Sequence, residues 1–221
     1  MEVVAKYILY FFIYSFLGWF MEVCVSLWNK KRFINRGFLI GPICPIYGHG
    51  ILAIIILIGS NTNDFLAVFL KSILICSILE YFTSYFMEKL FNIRWWDYSS
   101  KKFNINGRIC LETMLPFGIL SSLVIYGIHP LVITLVDKLS INIIYVLAII
   151  LVIIYVIDNI VSLFILLNIK DKIKSERKDN TEKVKKYVEK WIEKNSYLYR
   201  RLHSSFPKFQ VHLKRIKKKI K

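Results

Sequence analysis

The chain has 221 residues, 56% of them hydrophobic, a mean hydropathy of +0.49 and a net charge of +16. A soluble domain of this size could not hide so much hydrocarbon surface, so composition excludes an ordinary water-soluble fold and points to a membrane protein with a basic part. The charge is concentrated: residues 170–221 hold 19 Lys/Arg against 6 Asp/Glu, net +13, leaving a nearly neutral body in residues 1–169.

Crossing the hydrocarbon core takes about 20 apolar residues. Residues 4–28 form the first expected span, interrupted mainly by Glu22. The start of the chain carries Glu2, and no small-residue cleavage site follows the first apolar run, so no cleavable leader is expected. Residues 32–50, RFINRGFLIGPICPIYGHG, are too rich in glycine, proline and polar residues for a plain connector. The second span, about 46–59, is short unless residues 38–45 also fold back into the membrane, where irregular backbone needs protein or a wet cavity around it. Further spans are expected at about 65–91, 109–128 and 141–169, with residues 130–139 as a half-helix or external interfacial piece.

Short-loop Lys/Arg content sets orientation. Lys30, Lys31, Arg32 and Arg36 mark the first loop, and Lys89, Arg94, Lys101, Lys102 and Arg108 the third. Residues 59–64 carry no base. Both basic loops and the tail are therefore expected in the cytoplasm and the N-terminus outside.

Phe16-x-x-Trp19-Phe20-Met21-Glu22 and Phe82-x-x-Tyr85-Phe86-Met87-Glu88 each close a span. Ile34-Asn35-Arg36-Gly37 precedes Pro45-Ile46-Tyr47-Gly48, and Ile105-Asn106-Gly107-Arg108 precedes Pro116-Phe117-Gly118, with ten residues from Asn to Pro in both. This reads as a parallel duplication of a two-helix unit, about 7–59 and 65–128, whose interface is a candidate site.

Ionisable groups in a span are costly and tend to face a bundle interior or a wet cavity. The acids here are Glu22, Glu80, Glu88, Glu112 and Asp158, and Arg108 lies one helical turn from Glu112, a spacing that permits a pair. For Arg36 and Arg108 two readings stay open. They clamp the buried glutamates, or they hold an anionic headgroup, phosphate or carboxylate, with Gly37, Gly41 and Gly107 letting backbone amides approach. Trp96, Asp97 and Tyr98 form an interfacial anchor or hold the second basic loop in register. His49 reads as a hydrogen-bonded structural residue.

The four cysteines, Cys24, Cys44, Cys76 and Cys110, read as buried reduced thiols. No zinc motif, P-loop or nucleophile triad is present, so no metal and no cofactor is expected and an enzyme is disfavoured. In the tail, Val184, Val188, Trp191, Leu198 and Leu202 form one apolar stripe, and Phe209, Leu213, Ile216 and Ile220 a second among lysines. Basic amphipathic helices lie on anionic lipid, and membrane tethering makes lipid headgroups the better partner than nucleic acid.

YSFLGWFMEV at 14–23, FINRGFLIGPICPIYGHG at 33–50 and WWDYSSKKFNINGRICLE at 95–112 resemble the bacterial membrane proteins of the putative ABC-transporter type IV (CmpB-like) family. The resemblance covers about residues 7–168 and implies a permease working with a separate ATPase. Matching positions include Gly18, Trp19, Glu22, Asn35, Arg36, Gly37, Gly41, Pro42, Pro45 and Tyr47 in the first unit. Trp96, Asp97, Tyr98, Asn104, Gly107 and Arg108 match in the second, with Asn106 beside them.

The expected fold is all-α: a polytopic membrane helix bundle of about five spans with a parallel two-helix repeat and a basic, helical cytoplasmic tail. The expected function is a permease-like subunit moving a small substrate through an acidic repeat interface in the bilayer, with a separate ATPase subunit and a homo-oligomer as its candidate partners. A membrane enzyme acting on a lipid or lipid-linked substrate, and a non-catalytic scaffold or sensor, are the alternatives.

Overall fold

The computed structural model describes residues 1–59, 64–91, 93–175, 190–191, 197–205 and 210–211. It is an all-α membrane helix bundle. Helix α1 spans Glu2–Lys30 and ends where Lys31 turns left-handed and returns its amide to the Leu27 carbonyl. After an irregular segment, α2 spans Pro45–Ile58, with proline in its first turn, where a missing N–H costs nothing. Helix α3 spans Phe65–Phe91. A loop with three two-residue strands follows: β1 (Ile93–Arg94), β2 (Asn104–Ile105) and β3 (Ile109–Cys110). Helix α4 (Leu111–Leu123) starts on a reciprocal cap between Cys110 and Thr113, and runs through a π-helical turn, Val124–Ile128, into α5 (His129–Asp137). Helix α6 spans Ile141–Ser175, α7 spans Tyr197–Ser205, and β4 is Gln210–Val211.

Among the described residues, four apolar helical stretches are long enough to cross a membrane: Glu2–Lys30, Phe65–Phe91, Leu111–Asp137 and Ile141–Asp171. The third corrects the expectation for residues 130–139: through Asp137 they continue the helix from Leu111 and are not a separate piece. Pro130 would clash with the carbonyl four residues earlier in a regular helix, and the widened π turn just before it takes up that misfit. Helix α2 has 14 residues, roughly 21 Å at 1.5 Å per residue, short of a bilayer core. The irregular segment before it supplies depth: Leu39 is fully buried, and the Cys44 amide donates to the carbonyl of Ser15, halfway along α1.

Helix α1 packs on α2 and α6, and α3 packs on α4 and α2. Two apolar clusters occupy opposite ends of the bundle. One joins Leu9, Tyr14, Ile54, Val68, Ile125 and Ile144, and the other joins Phe91, Trp95, Ile165, Leu166 and Leu202. Along α3 and α6 the acids Glu80 and Asp158 fall between them, and that interval holds the polar site.

Candidate functional site

The first loop folds around its own side chains. Asn35 accepts from Trp19 Nε1 at 2.7 Å and donates to the Ile40 carbonyl at 2.8 Å, while Gly37 turns at φ +101° with Cys44 Sγ behind it. Arg36 Nε donates to Glu22 Oε2 at 3.3 Å, and Tyr47 donates to Glu22 Oε1 at 2.7 Å. Asp158 of α6 accepts from the Ile40 and Gly41 amides at 2.8 and 2.7 Å and from Ser162. Of the glycine amides expected to approach an anionic ligand, that of Gly41 is thus held by a carboxylate of the chain itself.

The second loop repeats the theme with different parts. Arg94 Nε and Arg108 Nη2 both reach Glu88 Oε2, at 2.9 and 3.0 Å. Arg108 also donates to Ser84 and lies over the rings of Tyr81 and Tyr85. Trp96 Nε1 donates to the Arg108 carbonyl, and Asp97 accepts from Arg94 and from the Ser99 amide. Asn106 donates to Tyr81. Gly107 turns at φ +66°, where a Cβ would strike Asp97 Oδ1, so glycine is required. Asn104 donates to the Ser99 and Lys101 carbonyls and accepts from the Gly107 amide at 3.0 Å. Asn104→Ala is expected to cost about 1–2 kcal/mol, read as a lower thermal midpoint in detergent by tryptophan fluorescence.

The Arg108–Glu112 pair that the spacing permits does not form. Helix α4 begins at Leu111, so Arg108 precedes it and the i, i+4 spacing does not apply; Glu112 meets Lys101 at 2.8 Å on the surface. His49 is exposed, bonded to the Pro45 carbonyl at 2.8 Å and edge-on to Phe11, away from the acids. Cys24 is exposed, against the expectation of a buried thiol; Cys44 and Cys110 are buried.

Glu80 stands apart. It is 6% exposed, Tyr98 donates to its Oε1 at 3.3 Å, and its Oε2 has no hydrogen-bond partner among the described residues. Burial, with Glu80 beside it, holds the Tyr98 phenol well above its usual pKa. Tyr98 and Tyr47 each donate to a glutamate, so two tyrosine–glutamate pairs sit beneath the two loops. Tyr14, in the opposite half, meets the buried His129 at 2.6 Å, a pair that spacing alone did not signal.

The tail supplies residues the sequence reading missed. Arg201 donates to the Phe38 and Leu39 carbonyls, Ser205 Oγ donates to the Asn35 carbonyl, and Arg36 Nη1 donates to the Ser205 carbonyl. Trp191, Leu198 and Leu202 of the apolar stripe face the protein core, correcting their expected contact with lipid. Val184, Val188 and the second stripe lie outside the described residues. A signal existed: Arg201 and Ser205, four apart, share the helix side of Leu198 and Leu202 and interrupt its apolar character.

Among known families, residues 9–163 match the one described as Putative ABC-transporter type IV. No curated protein and no solved structure matches the chain.

Proposed function

The chain belongs to the Putative ABC-transporter type IV family, and from that premise we propose that it is the permease-like membrane subunit of a transport system with a separate ATPase. A small cation or a proton passes along the acidic interface between two duplicated two-helix units. The observation that carries this reading is Glu80, buried in α3 with one carboxylate oxygen unpartnered among the described residues. The other acids are matched: Glu22 by Arg36, Glu88 by Arg94 and Arg108, Asp158 by backbone amides and Glu112 by Lys101. A buried carboxylate at mid-helix depth can exchange a proton or cation, which those neutralised groups cannot do without breaking a bond.

The duplication draws support from the Glu22–Arg36 and Glu88–Arg108 pairs, in which an arginine of the following loop meets a glutamate in the C-terminal part of the unit's first helix. The orientation, N-terminus outside and C-terminus cytoplasmic, draws support from the gathering of both basic loops with the tail. Arg36 meets Ser205, and β1 pairs with β4. The enzyme reading ranks second because Arg36 and Arg108, its phosphate-binding candidates, are both engaged by carboxylates.

Proton and monovalent-cation flux in proteoliposomes, with any ATPase that copurifies, tests the assignment. Glu80→Gln keeps the shape and removes the charge, so flux is expected to fall by roughly tenfold or more while the thermal midpoint stays near the parent value. Absence of both an ATPase and any flux in the parent protein would overturn the transport reading.

A further inference from the structure

Helix α7 makes a set of contacts that transport through the bundle does not require. Arg201, 7% exposed, takes the carbonyls of Phe38 and Leu39 on one side of the first loop. On the other side Asp158 takes the next two amides, Ile40 and Gly41, at 2.8 and 2.7 Å. Residues 38–41 are therefore stretched between a cation from the tail and an anion from α6, with peptide dipoles pointing from one to the other. This arrangement satisfies polar backbone in an irregular segment that sits at membrane depth.

Arg36 is shared. Its Nε serves Glu22 and its Nη1 caps the last carbonyl of α7, where a cation also opposes the negative end of the helix dipole. Leu202 seats α7 in the apolar cluster with Phe91, Trp95 and Leu166. Beyond α7, Gln210–Val211 pairs with Ile93–Arg94, and Arg94 is a partner of Glu88. One segment of tail thus touches the arginine–glutamate pair of both loops.

We propose that α7 is an intrachain latch: Arg201 is a positioning residue that holds the Phe38–Gly41 peptide against Asp158, and release of α7 opens the way to Glu22 and Tyr47. Its consequence for transport rests on the reading of those residues as part of the path, whereas the latch itself stands or falls on loop opening.

Cys44 reports that opening. It is buried behind the loop, with its Sγ 3.9 Å from the Arg36 carbonyl oxygen and its amide on the Ser15 carbonyl. Full-length protein in native membranes is treated with N-ethylmaleimide, and each cysteine peptide is followed by mass spectrometry. Buried Cys110, in the second loop, serves as the control for general unfolding. Arg201→Ala is expected to speed Cys44 alkylation roughly tenfold, as loss of two hydrogen bonds favours local opening, with Arg201→Lys intermediate and Cys110 unchanged. Equal protection of Cys44 in Arg201→Ala and parent overturns the latch. If Cys110 opens together with Cys44 in Arg201→Ala, the milder Arg201→Lys and Ser205→Ala decide. In those milder variants, faster Cys44 alone supports the proposal; no change, or parallel exposure of both thiols, overturns it. Alkylation needs no flux, so the transport reading can fail while the latch holds.

Discussion

Glu88→Gln is expected to lower stability by about 3–5 kcal/mol, the usual cost of removing one partner from a buried charge pair. Glu88 serves two guanidiniums on one oxygen, Arg94 at 2.9 Å and Arg108 at 3.0 Å. The three side chains are 17%, 13% and 10% exposed, so water reaches them only in part and cannot fully replace the lost charge. Arg94 keeps Asp97 and Arg108 keeps Ser84 and two tyrosine rings, yet the two cations would then face a neutral amide. The corresponding Glu22→Gln offers the contrast. Glu22 and Arg36 are 30% and 26% exposed, and solvent screening limits that ion pair to less than about 1 kcal/mol. Thermal unfolding in one detergent ranks the two variants. Equal losses would mean that burial does not set the value of these pairs.

Gly48→Val is expected to cost about 3 kcal/mol or more, at or beyond the usual range for overpacking. A Cβ there would meet Ser15 Oγ and lie 2.6 Å from the Phe11 carbonyl oxygen, which belongs to the backbone of α1 and cannot swing aside. The helices would have to separate, and Tyr47, the preceding residue, would be drawn from Glu22. Small residues at such contacts are how apolar helices approach one another without a hydrophobic driving force. Gly50 is two residues on in the same helix, and its nearest neighbours to an added Cβ are 3.8 and 3.9 Å away. Gly50→Ala should therefore leave the thermal midpoint and the monodisperse fraction in size exclusion unchanged or slightly raised.

The long spans were legible because an apolar run has few alternatives at that length, and Glu2–Lys30 and Phe65–Phe91 lie close to their expected bounds. The merging of 130–139 with the helix before it was not, since His129-Pro130 reads as a break and nothing in one sequence signals that a π turn will absorb it. Arg36 and Glu22 were legible as candidate partners. The choice between Glu22 and Glu88 for Arg36 was not, because it depends on how a loop with few regular hydrogen bonds folds back. Arg108 misled for a related reason: a helical spacing was applied to a residue that precedes the helix. Arg201 and Ser205 interrupt the apolar side set by Leu198 and Leu202, a local signal that the summed charge of the tail conceals.

The first loop and its holders are far apart in order of synthesis. Ile40 and Gly41 wait for Asp158, 118 and 117 positions later, and the Phe38 and Leu39 carbonyls wait for Arg201, 163 and 162 positions later. At about 5–20 residues per second, that interval lasts on the order of 10–30 s. During it α1 and α2 can already be inserted, while the peptides of residues 38–41 still lack the Asp158 and Arg201 partners. The first hairpin of the bundle thus acquires its final shape only after Arg201 of α7 has been made.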